Sequence, residues 1–252
     1  MSSMSFLLVG VFLPLFPFSM LFNILFGRLD SAWMRIALLV AWPSTGVTLL
    51  SALGESPPQW LVYWSVATAA FYAFRALALR DFTLWLGHLA TSTWALLWLP
   101  AVFIREGAWL LPQAAAFSVP LLILAWLGGR LEKAFGGAYA GSLGGLAASV
   151  PRLAGLLVLV VLAAIGTPLF PGFFALLGMV GELLPGMPLS ALGILLVWML
   201  WAWSGMRILQ GLIVGQPVED SRADIGLVHT GVLGVALAMF AVGGIWFSGS
   251  LV

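Results

Sequence analysis

Few side chains in this chain of 252 residues can do acid–base, nucleophilic or ligand chemistry: two histidines, nine carboxylates, ten cations and no cysteine. Without cysteine there is no disulfide, thiolate nucleophile, iron–sulfur ligation or Cys-type zinc site. Two histidines are too few donors for a metal centre, so neither a metal nor a cofactor is expected. The net charge of +1 gives no field that would capture nucleic acid. Three ionisable residues stand apart from the rest. His88 lies close to Thr91, Ser92 and Thr93, and an imidazole titrating at pH ~6.5 suits a proton carrier. The plainer reading is a packing histidine hydrogen-bonded to a hydroxyl of another helix. Glu182 is placed to exchange a proton at an exit, or simply to sit in water at an interface. His229, near Asp224, reads as an interface anchor. Ser142, within Ala140-Gly141-Ser142-Leu143-Gly144, is spaced like a hydrolase nucleophile. No strand precedes it and no His–carboxylate pair activates it, so no catalytic site is expected.

The elements that carry these residues must be membrane spans. The chain is 62% hydrophobic and 8% charged, against roughly a quarter charged in a soluble domain. A helix crosses the hydrocarbon with about 20 apolar residues, and eight such runs follow one another, at 4–27, 32–53, 59–79, 82–104, 108–128, 152–184, 188–210 and 226–250. Strands in lipid would need a closed barrel with alternating polar positions, and no segment alternates. The spacing therefore predicts an all-α polytopic membrane protein of about eight transmembrane helices. The first run lacks a positive leader and a small-residue cleavage site, and reads as a retained span rather than a signal peptide. Eight spans place Arg28, Arg35, Arg75, Arg80, Arg130, Lys133, Arg152, Arg207 and Arg222 on one side and only Arg105 on the other. Because Lys and Arg are held on the cytoplasmic side during insertion, both termini are expected to be extracytoplasmic. No soluble domain can be carved out. Residues 128–145, with seven glycines, read as a pliable connector.

The sixth run differs from the others. Its middle is Gly166-Thr167-Pro168-Leu169-Phe170-Pro171-Gly172, and two prolines cannot be carried through one straight helix, since each removes a donor and clashes with the preceding turn. A broken helix is expected over about 152–184. Transporters place such breaks at ion or substrate sites, which makes Thr167, Pro168, Pro171 and Gly172, with His88 and Glu182, the candidate ion pathway. A kink used only for packing is the alternative. Trp198, Trp201 and Trp203 read as interface or helix-contact aromatics rather than a quinone or cofactor box.

Gly144-Gly145-Leu146-Ala147-Ala148-Ser149-Val150-Pro151-Arg152, followed by an apolar run, Gly166-Thr167-Pro168 and Gly172-Phe173-Phe174, resembles the antiporter-like membrane subunits shared by respiratory complex I and Mrp-type cation/proton antiporters. Upstream, Thr68 to Asp81 running on into Leu84-Trp85-Leu86-Gly87-His88 is similar to that family's Ala-rich helix end, Asp-x-Lys turn and following helix. The resemblance covers residues 59–252, as the last six helices of a shortened and degenerate member, and leaves residues 1–58 as two N-terminal helices without a clear match. It implies a multi-pass subunit in the inner (cytoplasmic) membrane, with other membrane subunits and the lipid bilayer as partners.

The departures from the family pattern bear on function. Where the family's proton-pumping members carry a lysine or glutamate after Gly-Phe-Phe, this chain has Leu176. Where they carry a His and a Lys on the preceding helix, it has Phe117, Ser118 and Pro120, and the Asp-x-Lys turn keeps Asp81 but has Thr83 in place of lysine. The resemblance thus implies a scaffold or half-channel in a larger proton- or Na⁺-coupled complex, such as an NADH-quinone-oxidoreductase-like translocase, with its own lysine relay missing. The alternatives are a subunit that conducts protons or cations in its own right, or the membrane half of an inorganic-carbon uptake complex. Gly211-Leu212-Ile213-Val214-Gly215 is spaced for close helix approach at the cytoplasmic end.

Overall fold

A computed structural model of the protein describes residues 3–103, 110–216 and 224–249. Arg105, Arg222 and both chain ends lie outside the described residues. The described residues form α-helices and turns: α1 (Ser3–Phe12), α2 (Ser19–Arg28), α3 (Ala32–Leu53), α4 (Gln59–Ala78), α5 (Phe82–Ala95), a 3₁₀ turn (Leu96–Trp98), α6 (Pro100–Phe103), α7 (Leu110–Phe135), α8 (Leu146–Ser149), α9 (Pro151–Ala164), α10 (Pro171–Leu183), α11 (Pro188–Ile213) and α12 (Leu227–Gly249). Five of them, α3, α4, α7, α11 and α12, are long and apolar enough to cross a membrane. The chain is an all-α, multi-pass membrane protein.

Local chemistry sets the helix limits. Pro151, Pro171 and Pro188 open α9, α10 and α11, where the missing N–H is not needed and φ is already helical. Asp81 caps α5 by accepting from Leu84 N at 2.9 Å. The first turn of α9 has only Val150 before it, and its cap comes from far along the chain: the Asp224 carboxylate accepts from Arg152 N at 2.8 Å and Leu153 N at 3.2 Å. This ties the start of α12 to the start of α9.

The helices share a single hydrophobic core. α4 packs against α5 and α11, α3 runs along α7, and α10 lies between α11 and α12. α2 sits on α5. Most of the described charged residues gather at one end, with Glu55 and Glu182 as exceptions. Arg35 reaches Glu132, the Arg80 carbonyl accepts from Ala140 N, the Gly211 carbonyl accepts from Gly141 N, and Arg152 meets the Ile225 carbonyl.

Three sequence expectations change. The run 4–27, expected as one helix, is interrupted at 13–18, because Pro14 and Pro17 break it as Pro168 and Pro171 break the sixth. The run 82–104 passes through a 3₁₀ turn ahead of Pro100. The stretch 128–145 is helical as far as Phe135, and its remainder is pinned rather than pliable: Phe82 N donates to the Ala138 carbonyl at 2.9 Å and Gly141 N to the Gly211 carbonyl at 2.8 Å.

Candidate functional site: two interrupted helices and a neutral interior

The sixth run is broken as its prolines dictate. α9 stops at Ala164, the chain passes through Gly166 at φ +70° and Leu169 at φ +90°, and α10 starts at Pro171. Such a break leaves carbonyls without helical partners, and lipid cannot supply any. One indole closes it: Trp198 Nε1, from α11, lies 3.1 Å from both the Ile165 and the Gly166 carbonyls. Thr167 donates its hydroxyl to the Leu162 carbonyl at 3.0 Å. α12 covers the turn through Gly244, where a Cβ would lie 2.9 Å from the Phe170 carbonyl carbon; only glycine permits that approach.

The first break repeats this construction. Trp98 Nε1 donates to the Leu13 carbonyl at 3.0 Å and Trp42 Nε1 to the Val11 carbonyl at 3.1 Å, while Phe16 N donates to Thr68 Oγ1 at 3.1 Å. Gly46 of α3 packs on it, with a Cβ there 2.9 Å from Leu13 N. Both breaks carry the same tetrapeptide, Pro14-Leu15-Phe16-Pro17 and Pro168-Leu169-Phe170-Pro171. That repeat was the available signal for the interrupted first helix.

Three interior hydroxyls are paired with indoles. Trp94 Nε1 donates to Ser118 Oγ at 3.1 Å, Trp201 Nε1 to Ser92 Oγ at 2.8 Å and Trp85 Nε1 to Ser204 Oγ at 3.3 Å. Trp85, Trp94, Trp98 and Trp201 are fully buried. The reading of Trp198 and Trp201 as interface or helix-contact aromatics holds only in its second half, since both satisfy interior acceptors; Trp203 is exposed. Leu176 is completely buried and packs towards Gly166. Ser118 holds its indole, and Thr83 belongs to an ion cluster at the charged end.

That cluster centres on Arg35, whose side chain is 8% exposed. Arg35 Nη1 lies 2.7 and 2.8 Å from the two Glu132 carboxylate oxygens and 3.2 Å from Thr83 Oγ1, and Nε donates to the Leu29 carbonyl at 2.8 Å. Thr83 in turn donates to Glu132 Oε1 at 2.7 Å. A cation from α3 thus stands beside the Thr83 hydroxyl of α5. Sequence reading treated Arg35 only as a side marker; its partner, Glu132, is 97 residues away and leaves no local signal.

The candidate pathway residues lie on α5, in the break after α9 and on α10. His88 is half-buried on α5, with Nδ1 2.9 Å from its own helix's Leu84 carbonyl and its ring 5.3 Å from that of Tyr72. Its bond is therefore to a backbone carbonyl rather than to a neighbouring hydroxyl. Around it runs a polar seam: Ser19 donates to Tyr72 Oη at 2.9 Å and Asn23 to Thr91 Oγ1 at 2.7 Å. Glu182 is exposed near the end of α10. Thr167 and Pro168 lie in the sixth-run break, and Pro171 and Gly172 open α10. His229 is exposed and stacks on Trp126 at 6.0 Å, while Asp224 serves as the cap of α9. Gly211 and Gly215 do mark a close approach, but within the chain, to Ala140 and Gly144. Among the described residues no group of His, Cys, Asp and Glu is arranged to hold a metal.

No family model matches the chain, and no curated protein does. Solved structures do. A chain of respiratory complex I from Thermus thermophilus with bound NADH matches at TM-score 0.79 and 23% identity, over 96% of this chain and 54% of that one. A chain of the Mrp complex from Dietzia sp. matches at TM-score 0.78 and 18% identity, over 96% and 57%. A chain of the membrane-bound sulfane sulfur reductase, an archaeal respiratory membrane complex, matches at TM-score 0.80 and 14% identity, over 96% and 52%. The protein has the fold shared by these chains and spans about half their length.

Two predictions follow from the geometry. Trp198→Phe leaves the Ile165 and Gly166 carbonyls without a donor and should lower stability by about 1–3 kcal/mol in thermal unfolding, the usual cost of an unpaired buried polar group. Trp203→Phe, on the exposed face, should leave the midpoint unchanged. Arg35→Gln should cost about 3 kcal/mol, because Glu132 loses its counter-charge in a largely desolvated site. Adding Glu132→Gln should recover much of that loss; a double variant no better than the single would show that the pair does not act as a unit.

Proposed function

We propose that this protein is an antiporter-like integral subunit of an ion-coupled membrane complex, in which it acts as a scaffold or half-channel and does not carry protons by itself. The solved chains that share its fold belong to complexes whose names mark them as respiratory or Mrp assemblies, which supports placing it beside other membrane subunits. The observation that carries the reading is the chemistry of the interior. Ion translocation through hydrocarbon needs titratable groups at depth, and here the corresponding space holds Trp–Ser pairs, indole-capped carbonyls and the fully buried Leu176.

In this reading the chain has eight spans, two of them interrupted, and lies in the cytoplasmic membrane with its cation-rich end inward and both termini outside. The gathering of charged residues at one end of the bundle supports that orientation. Residues 59–252 are the part assigned to the antiporter-like bundle by sequence, with the first 58 residues packed onto it.

One observation favours the second reading, conduction in its own right: His88 sits on the seam formed by Ser19, Asn23, Tyr72 and Thr91. The two readings separate in vesicles containing the native complex. If the chain is a scaffold, His88→Ala and Glu182→Gln should leave both proton flux and the co-purification of partner subunits in mild detergent unchanged. If His88 is an obligatory proton carrier, His88→Ala should reduce flux on the order of a hundredfold, as loss of a general acid–base group does.

A further inference from the structure

We infer that the charged end of the bundle carries a binding site for the phosphodiester of an anionic phospholipid, built on Arg130 and Lys133 at the end of α7. The inference goes beyond the proposed function and needs only that this end lie at a membrane surface. Two clefts meet at these cations. The first, about 370 Å³, lies among the ends of α3, α7 and α12 and includes Trp126, His229 and both cations. The second, about 210 Å³, shares Arg130 and Lys133 but is otherwise lined chiefly by apolar side chains, among them Phe135, Val150, Leu153 and Ile225. A cleft carrying charged side chains beside tryptophans, joined at a cationic pair to a more apolar cleft, matches a molecule with a polar head, an anionic phosphate and a hydrocarbon tail. Free phosphate has no use for the second cleft.

The charges in the first cleft favour an anion. Glu132 lines it but is neutralised by Arg35 at 2.7 Å, which leaves Asp30 as the one uncompensated carboxylate against two cations. Arg130 and Lys133 are both exposed and have no carboxylate partner among the described residues. The Arg130 guanidinium lies 5.3 Å from the Trp126 ring centre, and His229 stacks on the same ring. An aromatic ring under a cation holds that side chain in place, and basic pockets between transmembrane helices recognise anionic lipid heads.

Native mass spectrometry of the full chain in detergent, titrated with dioctanoyl phosphatidylglycerol, tests the assignment. The wild type should take up the lipid with one preferred site, dioctanoyl phosphatidylcholine should bind poorly, and excess inorganic phosphate should leave the bound lipid in place. Arg130→Gln with Lys133→Gln should weaken binding about thirtyfold, since each cation near the surface contributes on the order of 1 kcal/mol. The exchange Arg130→Lys with Lys133→Arg should retain it, and Arg28→Gln at the same end should have no effect. If the neutral double variant fails to fold, Lys133→Gln alone, on an exposed side chain, should still weaken binding about fivefold. Equal affinity in the neutral variants, equal uptake of phosphatidylcholine, or displacement by phosphate would each overturn the assignment.

Discussion

A peptide carbonyl freed from its helix inside a membrane has no water to turn to, and the architecture of this protein is arranged around that constraint. Prolines interrupt two of its helices, and each interruption exposes carbonyls that would cost several kcal/mol in hydrocarbon. The solution is the same in both places. Indole N–H groups from other helices bond the orphan carbonyls, and a glycine on a packed helix lets backbone approach backbone. Trp42 and Trp98 serve the first break and Trp198 the second, with Gly46 and Gly244 as the respective contacts. A tryptophan suits this role because it has a single donor, no acceptor to leave unpaired, and a large apolar body that fills the space beside the break.

The same economy governs the interior. Every charge placed at depth would need its own compensation, and three of the deep hydroxyls, Ser92, Ser118 and Ser204, each accept from an indole instead. Among the described residues an interior ion pair, Arg35 with Glu132, is held at the charged end and tied to Thr83 and to the Leu29 carbonyl. Arg35, Thr83 and Glu132 come from α3, α5 and α7, so one cluster fixes three helix ends together. The Asp224 cap does the same for α9 and α12. These clusters use polar chemistry to hold helices in register.

Much of this was legible in the amino-acid order. Hydropathy runs gave the all-α membrane class and most helix limits, and the paired prolines at 168 and 171 gave the broken sixth helix, because proline's steric demand is local. The broken first helix carries the same Pro-Leu-Phe-Pro signal, hidden inside a run of apolar residues that by length alone reads as an ordinary span. Pairings such as Arg35–Glu132, Trp94–Ser118 and Asp224 with α9 join residues tens of positions apart, and no local rule announces them. Gly211 and Gly215 show a further limit: small-residue spacing correctly marked a close approach, but only three-dimensional packing reveals that its partner is the chain's own Ala140 and Gly144.

In the scaffold reading proposed here, a bundle whose interrupted helices are sealed by indoles and whose described interior residues form no titratable relay is tight to protons. The most direct measurement reconstitutes the unmodified chain alone in sealed vesicles, imposes a pH gradient with a potassium diffusion potential to clamp the voltage, and follows the internal pH with an entrapped dye. The account predicts a decay no faster than that of protein-free vesicles. A decay that accelerates in proportion to the amount of protein incorporated would contradict it, and would mean that a conducting path runs through this bundle.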